Sequence, residues 1–460
     1  MPDIASLLDA LRAQGNALGE NLTAKGVPAA GNEGFAILAE KVKRINQSIA
    51  NGEKETVRVS AAGSVKSGDF VSFVDELSPV AELPAEAGNA VGSAFLGGRR
   101  IAVAFVRGES LYLKAIGQDE DGSLVLGNSV LLTAVSPEIT EVVGFQDAAA
   151  VFYIDTDGAG HAALMTFDGL TGTLQYTDVV DVDGPISLSA CAVENRKALL
   201  CRAYSGSQDA AVRMVSFGES SLALGAECVI GLDFEPDGYT QGWSMAALSP
   251  SLAVMGCFKS HEEPLQRVLL SINSNAIRPI DMGTFITEGS MPCVSCAALA
   301  ADCGGVASAV TRLGTPNETV LTFEGWYTAA EFGMQPLFWG AEDRSEGTNI
   351  SRVYADMCGE DYALLSCVLD GTLHATLVGL NGNRPEGCPT VPLGEADGYA
   401  RLHAINGTYV LGVAERTNGI YGLLLKRIRT VVRTEAGDGV DALASGDAKA
   451  GEAVTVYSAD

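Results

Sequence analysis

The chain has 460 residues, of which 47% are hydrophobic and 19% charged, and its net charge is −27. This charge excludes a nucleic-acid-binding protein, because a strongly acidic surface cannot neutralise phosphates. No apolar run approaches the about 18 residues of a membrane helix, so we expect no membrane insertion. The 53 glycines and the modest charge content indicate many short turns, which are typical of a β-rich protein.

The first residues lack the apolar segment of a signal peptide, so we expect synthesis in a cytosol. The ten cysteines lie mostly inside apolar, strand-like runs, and we interpret them as buried free thiols. The CVSC segment at residues 293–296 is half of a zinc pattern without a second half. We therefore predict no metal site and no cofactor.

Residues 1–52 are predicted to form two amphipathic helices in a hairpin, separated by a segment that contains Gly26 and Pro28. Two helices of this length bury too little surface to be stable alone, so we expect them to oligomerise, as a trimer, or to attach to another protein. The apolar side chains expected at this oligomerisation face are Ile4, Leu8, Leu11, Leu18, Leu22, Phe35, Leu38, Val42 and Ile45.

Two short segments that flank the middle of the chain resemble each other. SGDFVSFV, from the segment 53–88, and AGEAVTVY, from the segment 435–460, match almost position for position. Both place an alternating strand after a small-residue turn. They predict two small, related β units.

Residues 89–434 contain an internal repeat. An apolar strand begins near residues 101, 149, 197, 251, 305, 362 and 408, so each repeat is about 50 residues long. A small-residue strand precedes each apolar strand, and one or two further strands follow it. Four antiparallel strands at this period predict a seven-bladed β-propeller, in which neighbouring blades bury the second strand on both faces. The alternatives are a β-solenoid or two stacked sandwiches. The fold class predicted for the whole chain is mainly β.

The turn between the second and third strands of each repeat, called here the second turn, is polar in every repeat. Turns at the same place in each repeat should lie on one face of the propeller. We predict that this face forms an acidic and amide-rich recognition surface. Its candidate binding residues are Asp157, Gln208, Glu262, Asn317, Asp370 and Asn418.

The second turn DTDGAGH, residues 155–161, has the acidic and glycine residues of a calcium loop. Its fifth position, Ala159, has no side-chain oxygen ligand, and its twelfth, Thr166, is not the bidentate acid that an EF-hand requires. We interpret the segment as a hairpin turn, with a weak surface calcium site as the alternative.

Two aromatic residues, Trp326 and Tyr327, are expected where the fifth repeat turns from its third to its fourth strand. There they could bind a sugar ring or a protein, or pack against a neighbouring blade. The four histidines lie in different repeats, and none belongs to a hydrolase or metalloprotease motif. We predict no catalytic residue, although a Ser–His–Asp arrangement across blades stays open. The predicted inner strands carry few acids, with Asp356 the main exception.

The N-terminal sequence LLDALRAQGNALGENLTAKGVPAAGNEGFAILAEKVKRI resembles the N-terminal segments of tail-fibre and tail-tip proteins of phages and prophages of Gram-positive gut bacteria. The flanking SGDFVSF and AGEAVTVY segments resemble short β repeats of the same proteins. The resemblance covers about 110 residues and implies attachment to a phage tail or baseplate through the N-terminus. It also implies assembly in the host cytoplasm.

The sequence therefore predicts a virion tail protein, whose propeller displays turns that recognise a glycan or protein on the bacterial surface. The expected partners are other tail or baseplate proteins and further copies of the chain. Two alternatives remain: a tail hydrolase that cleaves surface glycans, and a purely structural tail decoration.

Overall fold

The structure is a computed structural model that describes residues 54–458. Within this range, it does not describe residues 62, 68, 182–184, 205–208, 232–242, 258–265, 274–275, 285–289, 301–302, 313–317, 329–333, 340–342, 347–349, 360, 380–385, 388–389 and 434–441. The predicted helical hairpin and its oligomerisation residues lie outside the described residues. The described part contains strands and no α-helix, which confirms the mainly β prediction.

The described chain divides into two compact units, a smaller one of residues 54–75 and 429–458 and a larger one of residues 76–428. The first two strands are β1 (Lys54–Val59) and β2 (Phe70–Glu86). The larger unit then continues with sheets of consecutive antiparallel strands.

The first such sheet contains β3 (Asn89–Gly97), β4 (Arg100–Arg107), β5 (Ser110–Gln118) and β6 (Leu124–Thr133). The second contains β7 (Ile139–Gly144), β8 (Ala148–Ile154), β9 (Gly160–Asp168) and β10 (Thr171–Asp181). The third contains β11 (Pro185–Glu194), β12 (Lys197–Tyr204), β13 (Asp209–Phe217), β14 (Leu222–Leu224) and β15 (Cys228–Gly231).

The fourth sheet contains β16 (Trp243–Ser249), β17 (Leu252–Cys257), β18 (Gln266–Asn273) and β19 (Ala276–Thr284). The fifth contains β20 (Ser290–Ala300), β21 (Cys303–Arg312), β22 (Glu318–Thr328), β23 (Met334–Trp339) and β24 (Asp343–Glu346). The sixth contains β25 (Ile350–Cys358), β26 (Tyr362–Leu369), β27 (Thr372–Gly379), β28 (Glu386–Gly387) and β29 (Val391–Glu395).

The chain ends with β30 (Ala400–Ala404), β31 (Tyr409–Arg416), β32 (Gly419–Arg433), β33 (Ala442–Ala444) and β34 (Ala453–Ser458). In the larger unit, β30, β31 and β32 pair in sequence, and β2 pairs with β32.

The first strand of each sheet contacts the first strand of the next sheet along the chain. These contacts join β3 to β7, β7 to β11, β11 to β16, β16 to β20, β20 to β25 and β25 to β30, and β30 contacts β3. A circle of antiparallel sheets packed face to face around their first strands is a β-propeller. The predicted propeller is therefore confirmed, and the first strands are its inner strands.

In the sheets whose side chains are described, the second strand is buried on both faces, as its apolar sequence predicts. All seven residues of β8 are buried, and so are the six central residues of β12. The inner strands approach each other so closely that they need small residues. A Cβ atom on Gly144 would lie 1.7 Å from the carbonyl oxygen of Phe95 on the neighbouring inner strand, and one on Gly92 would lie 2.7 Å from the Val142 side chain.

Residues 76–86 of β2 belong to the larger unit, although the sequence analysis assigned them to a separate N-terminal β unit. The physical reason is burial. Leu77 packs in a core cluster with Val410 and Leu425, and Ala85 packs in another cluster with Ile101 and Leu424. The last sheet of the propeller thus takes three strands from the C-terminal part of the chain and its outer strand from the N-terminal part.

The smaller unit is built from both flanking segments, whose strands pair with each other. Strand β1 pairs antiparallel with β34, and the start of β2 pairs with β33. The matching turns have the same hydrogen bond, because Asp69 accepts from the amide of Lys66 at 2.8 Å and Glu452 accepts from the amide of Lys449 at 2.9 Å. The two similar sequences therefore form one interlocked unit and not two separate ones.

Candidate functional site

Three of the predicted second-turn residues are described: Asp157, Asp370 and Asn418. They lie between β8 and β9, between β26 and β27, and between β31 and β32, which is the same place in three sheets. Gln208, Glu262 and Asn317 lie outside the described residues. We call the end of the propeller that carries these turns the second-turn face.

The turn that contains Asp157 is organised by the side chain of Asp155. One Asp155 oxygen accepts hydrogen bonds from the amides of Asp157, at 3.0 Å, and Ala159, at 2.9 Å. The other oxygen lies 2.8 Å from Nε2 of His161, whose ring stacks on Tyr153. The hairpin interpretation of DTDGAGH therefore has a direct structural basis, since the carboxylate that would bind a cation holds the turn together.

The other two described turns are also held by local contacts. Asp370 and Gly371 have φ values of 45° and 75°, as a two-residue hairpin of the Asp-Gly type requires. The Asn418 amide group donates to the Tyr421 hydroxyl at 2.7 Å. Asp397 accepts from both the amide and the hydroxyl of Thr417, at 2.6 and 2.5 Å. These turns present polar groups in fixed positions.

Trp326 and Tyr327 lie inside a strand, so their predicted position on a turn is wrong. Strand β22 continues to Thr328, and its residues 326 and 327 pair with β21 on one side and β23 on the other. The pairing with β23 shifts by one residue between Gly325 and Trp326, and the strand continues beyond this shift. The side chains of both residues lie outside the described part.

A cleft of about 730 Å³ opens between the second and third sheets. It is lined by Val179, Val180, Asp181, Arg202, Tyr204, Arg213, Leu224 and Glu227. Asp181 pairs with Gly160, which directly follows the second turn of its own sheet. Tyr204 is the last residue of β12, before the second turn of the next sheet. The cleft therefore lies at the second-turn face.

The floor of the cleft is a buried ion cluster around Arg202. This side chain is 1% exposed, and its guanidinium forms ion pairs with Asp181 from the second sheet and Glu227 from the third. Glu227 also binds Arg213, and the hydroxyl of Tyr204 donates to Asp181 at 2.5 Å. Burial lowers the pKa of the Arg202 guanidinium, and the neighbouring charge of Arg213 acts in the same direction.

A second polar cluster lies among the inner strands. The hydroxyl of Ser93, on β3, is 2.8 Å from Nε2 of His403, on β30, and 2.9 Å from the hydroxyl of Tyr399. Nδ1 of His403 is 3.8 Å from Oδ2 of Asp356, on β25. The structure thus brings a serine, a histidine and an aspartate of three neighbouring sheets together.

The side chains of Ser93, His403 and Asp356 are arranged in the order of a hydrolytic triad, but the serine is not accessible to a substrate. Ser93 is 1% exposed, so its hydroxyl is covered, while the Asp356 side chain at the opposite end is 36% exposed. A hydrolase needs the reverse arrangement, with the nucleophile open to substrate. Burial lowers the pKa of His403 well below its ordinary value, and nearby Arg401 lowers it further, so the ring is neutral. The cluster is suited to joining the inner strands through hydrogen bonds.

Asp356 should make the stability of the protein depend on pH. Burial raises the pKa of its carboxyl from the ordinary value of 3.8 to about 6, although part of the side chain reaches solvent. The folded state therefore favours the protonated acid, and stability from this group is present at low pH and is lost as the pH rises through 6. Above pH 6, the free energy of unfolding of Asp356→Asn should exceed that of the wild type by about 1 kcal/mol, a value reduced for the exposed part of the side chain. The variant should therefore unfold at a higher temperature.

Thermal unfolding of both proteins between pH 4 and 8 measures this difference. The two melting temperatures should converge towards pH 4. A difference that stays constant across this range would contradict the shifted pKa.

Two groups that matter here were not singled out from the sequence, namely Arg202 and the pair Ser93 and Tyr399. Arg202 carried a usable signal, because it is a charged residue inside the apolar run KALLCRAY. Ser93 and Tyr399 lie 306 residues apart in the sequence and carried no such signal.

Within the described residues, no helix could cross a membrane and no three His, Cys, Asp or Glu side chains are placed to bind a metal ion.

No protein-family model matches the chain, and no curated protein does. Among solved structures, it is similar to a protein from Lactobacillus plantarum, with 13% identity and a TM-score of 0.46, over 75% of this chain and 98% of the other. Saccharomyces cerevisiae Sqt1 is similar with 10% identity and a TM-score of 0.45, over 78% and 99%. The periplasmic gluconolactonase PpgL of Pseudomonas aeruginosa is similar with 12% identity and a TM-score of 0.42, over 66% and 86%.

Proposed function

We propose that the chain is a tail-fibre or baseplate-associated protein of a phage virion, and that its propeller presents the second-turn face to a bacterial surface. The observation that carries this proposal is the common position of the described second turns at one end of a circle of sheets. Loops held by a rigid scaffold are suited to recognition, because their polar groups keep fixed relative positions. The resemblance of the N-terminal residues supplies the link to a phage tail.

The propeller is a closed ring of seven blades in this proposal. Its support is the unbroken series of contacts between inner strands, which returns from β30 to β3, together with the pairing of β2 and β32 in the last sheet. Closure matters for a displayed protein. A ring leaves no sheet with an uncovered apolar face.

Residues 1–52 attach the protein to other tail or baseplate proteins and join copies of the chain, as a trimer, through the oligomerisation face. The protein is assembled in the host cytoplasm and becomes part of the virion tail. A trimer would present three second-turn faces, and several weak contacts with a surface polymer would then add up to stable attachment.

A glycan-cleaving hydrolase is the alternative. The Ser93–His403–Asp356 arrangement does not supply its chemistry, because such a triad attacks acyl groups whereas glycosidic cleavage uses two carboxylates. The serine is also buried, and for both reasons we prefer recognition without cleavage. Incubation of the protein with bacterial wall polysaccharide separates the two. The release of new reducing ends would establish the hydrolase, and their absence with retained binding supports recognition.

Binding to isolated walls of Gram-positive gut bacteria tests the proposal. The fluorescently labelled full chain should bind the walls of at least one strain of a panel saturably, and mild periodate treatment of the walls should abolish binding because it cleaves sugar diols. Gold-labelled antibody should decorate the tails of the virions that contain the protein. Failure to bind any wall, together with unlabelled tails, would refute the proposal. Labelled tails without wall binding would leave the structural decoration as the function.

A further inference from the structure

The repeat shows that the fold does not need a charge at the position of Arg202. On β12, Ala198 and Leu200 pack in one core cluster with residues of the preceding sheet, so every second residue of this strand faces that sheet. Arg202 is the next residue in this series. The residues at the same place in the other sheets with described side chains are all buried, and none is charged: Phe105, Tyr153, Cys257, Cys367 and Ala414. Arg202 is thus a charged residue at a position that is uncharged in the other sheets with described side chains, and these sheets form without a charge there.

Burying Arg202 has a cost that the surrounding cluster only partly offsets. A buried ion pair often contributes no more to stability than apolar residues of similar size, because both charges lose their hydration. Among the described residues, Nε of Arg202 and Nε of Arg213 are buried nitrogen atoms without a hydrogen-bond partner. A costly and incompletely paired cluster that holds the exposed carboxylate of Glu227 at a cleft indicates a role in positioning a binding group.

The charges of the cleft indicate the chemistry of its ligand. Arg202 and Arg213 are balanced by Asp181 and Glu227, so the lining has no net charge. An ion of either sign would have to displace one of the paired groups. A hydroxyl group can bind without displacing a charged side chain, because it donates to a carboxylate and accepts from a guanidinium at the same time. Such charge-assisted hydrogen bonds are strong.

The walls of the cleft provide apolar contacts next to these charges. Val179 is 44% exposed, Leu224 is exposed too, and the ring of Tyr204 lies beside them. Apolar surface beside alternating donors and acceptors fits the two properties of a sugar ring, which has C–H faces and hydroxyl edges. The volume of the cleft is also within the range of about 300–1,000 Å³ that is usual for small-ligand sites.

We infer that this cleft binds a neutral saccharide unit of a bacterial surface glycan. The inference rests on the proposed function for the source of the glycan, but the cleft and its lining are independent of it. Arg213 and Glu227, whose side chains are 17% and 36% exposed, orient the hydroxyl groups. Arg202 holds Glu227 in place, and Val179 and Leu224 contact the ring. Among the described sheets, the arginine occurs at the seam between the second and third sheets, and this seam carries the site at the second-turn face.

Val179→Trp tests the inference, because the larger side chain fills the cleft. The probes are methyl glycosides of glucose, galactose, N-acetylglucosamine and rhamnose, with the methyl glycoside of glucuronate as the charged comparison. Binding is measured by saturation-transfer NMR and calorimetry. At least one probe should bind the wild type, and Val179→Trp should weaken it about tenfold or more, the loss expected when a central apolar contact is removed. Leu131→Trp is the matched control, because Leu131 is 46% exposed on the outer strand of another sheet. It should bind the probe as the wild type does.

Two checks make the result decisive. Val179→Trp should unfold at the temperature of the wild type, and if it does not fold, Leu224→Trp fills the cleft from its other side. The inference is overturned if no neutral glycoside binds, if only charged glucuronate binds, or if the cleft variant binds as well as the control.

The wall-binding assay distinguishes this inference from the proposed function. If Val179→Trp binds walls as the wild type does, the protein still recognises the surface but does not use this cleft. If the wild type binds a glycoside in the cleft but binds no walls, the saccharide site stands and the proposed function fails.

Discussion

Arg202→Ala should destabilise the propeller by about 3–5 kcal/mol, the loss typical of removing one partner from a buried ion pair. The change leaves Asp181 buried beside Tyr204 without its cationic partner and opens a cavity between the second and third sheets. Both effects act on the folded state. Equilibrium unfolding in denaturant, followed by tryptophan fluorescence and circular dichroism, measures the difference.

A compensated variant separates the folding role of Arg202 from its binding role. Arg202→Phe combined with Asp181→Asn places at this position the residue type that Phe105 provides in the first sheet, and it removes the carboxylate that would otherwise lose its partner. We expect this double variant to recover most of the stability that Arg202→Ala loses. It should nevertheless fail to bind the methyl glycoside. A double variant as unstable as Arg202→Ala would show that the ion cluster is a requirement of the fold.

Leu77→Asp should prevent the last sheet of the propeller from forming. Leu77 is buried on β2, a strand from the N-terminal part of the chain, and it packs with Val410 and Leu425. A carboxylate there has to be buried without a partner, at a cost of several kcal/mol. Removal of β2 also leaves β32 without its neighbour. We expect a loss of cooperative unfolding, increased binding of hydrophobic dyes and aggregation.

Leu83→Asp is the control for this prediction. Leu83 lies on the same strand, six residues further on, but it is exposed. Its replacement should change stability by less than about 0.5 kcal/mol, as is usual for surface positions. If both variants behave alike, β2 contributes to the fold through its backbone and not through the burial of Leu77.

The strands of the propeller could be predicted because their signals are local. A second strand between two other sheets must be apolar on both faces, and segments such as AAAVFYI show this directly. The DTDGAGH turn could be interpreted for the same reason, since its carboxylate bonds to amides two and four residues away. The similarity of SGDFVSFV and AGEAVTVY predicted related β elements, but it did not reveal that they interlock.

Features that depend on contacts between sheets could not be predicted from the sequence. The distance from Ser93 to His403 and the ion pair between Arg202 and Asp181 depend on how neighbouring sheets are rotated against each other. A sequence pattern contains no information on this rotation. The end of β22 depends on its pairing with β23, so the sequence alone did not place Trp326 inside a strand.

The amino-acid sequence by itself determined that the chain is mainly β, that its middle repeats at a period of about 50 residues, and which strand of each repeat is buried. Periodicity and turn residues act within a few positions, so they can be recognised in one dimension. Only the tertiary structure decided that β2 completes the last sheet, that the axial serine is covered, and that an arginine in one apolar run meets a carboxylate of the sheet before it. Each of these is a contact between distant segments, which exists only once the sheets have packed around a common axis.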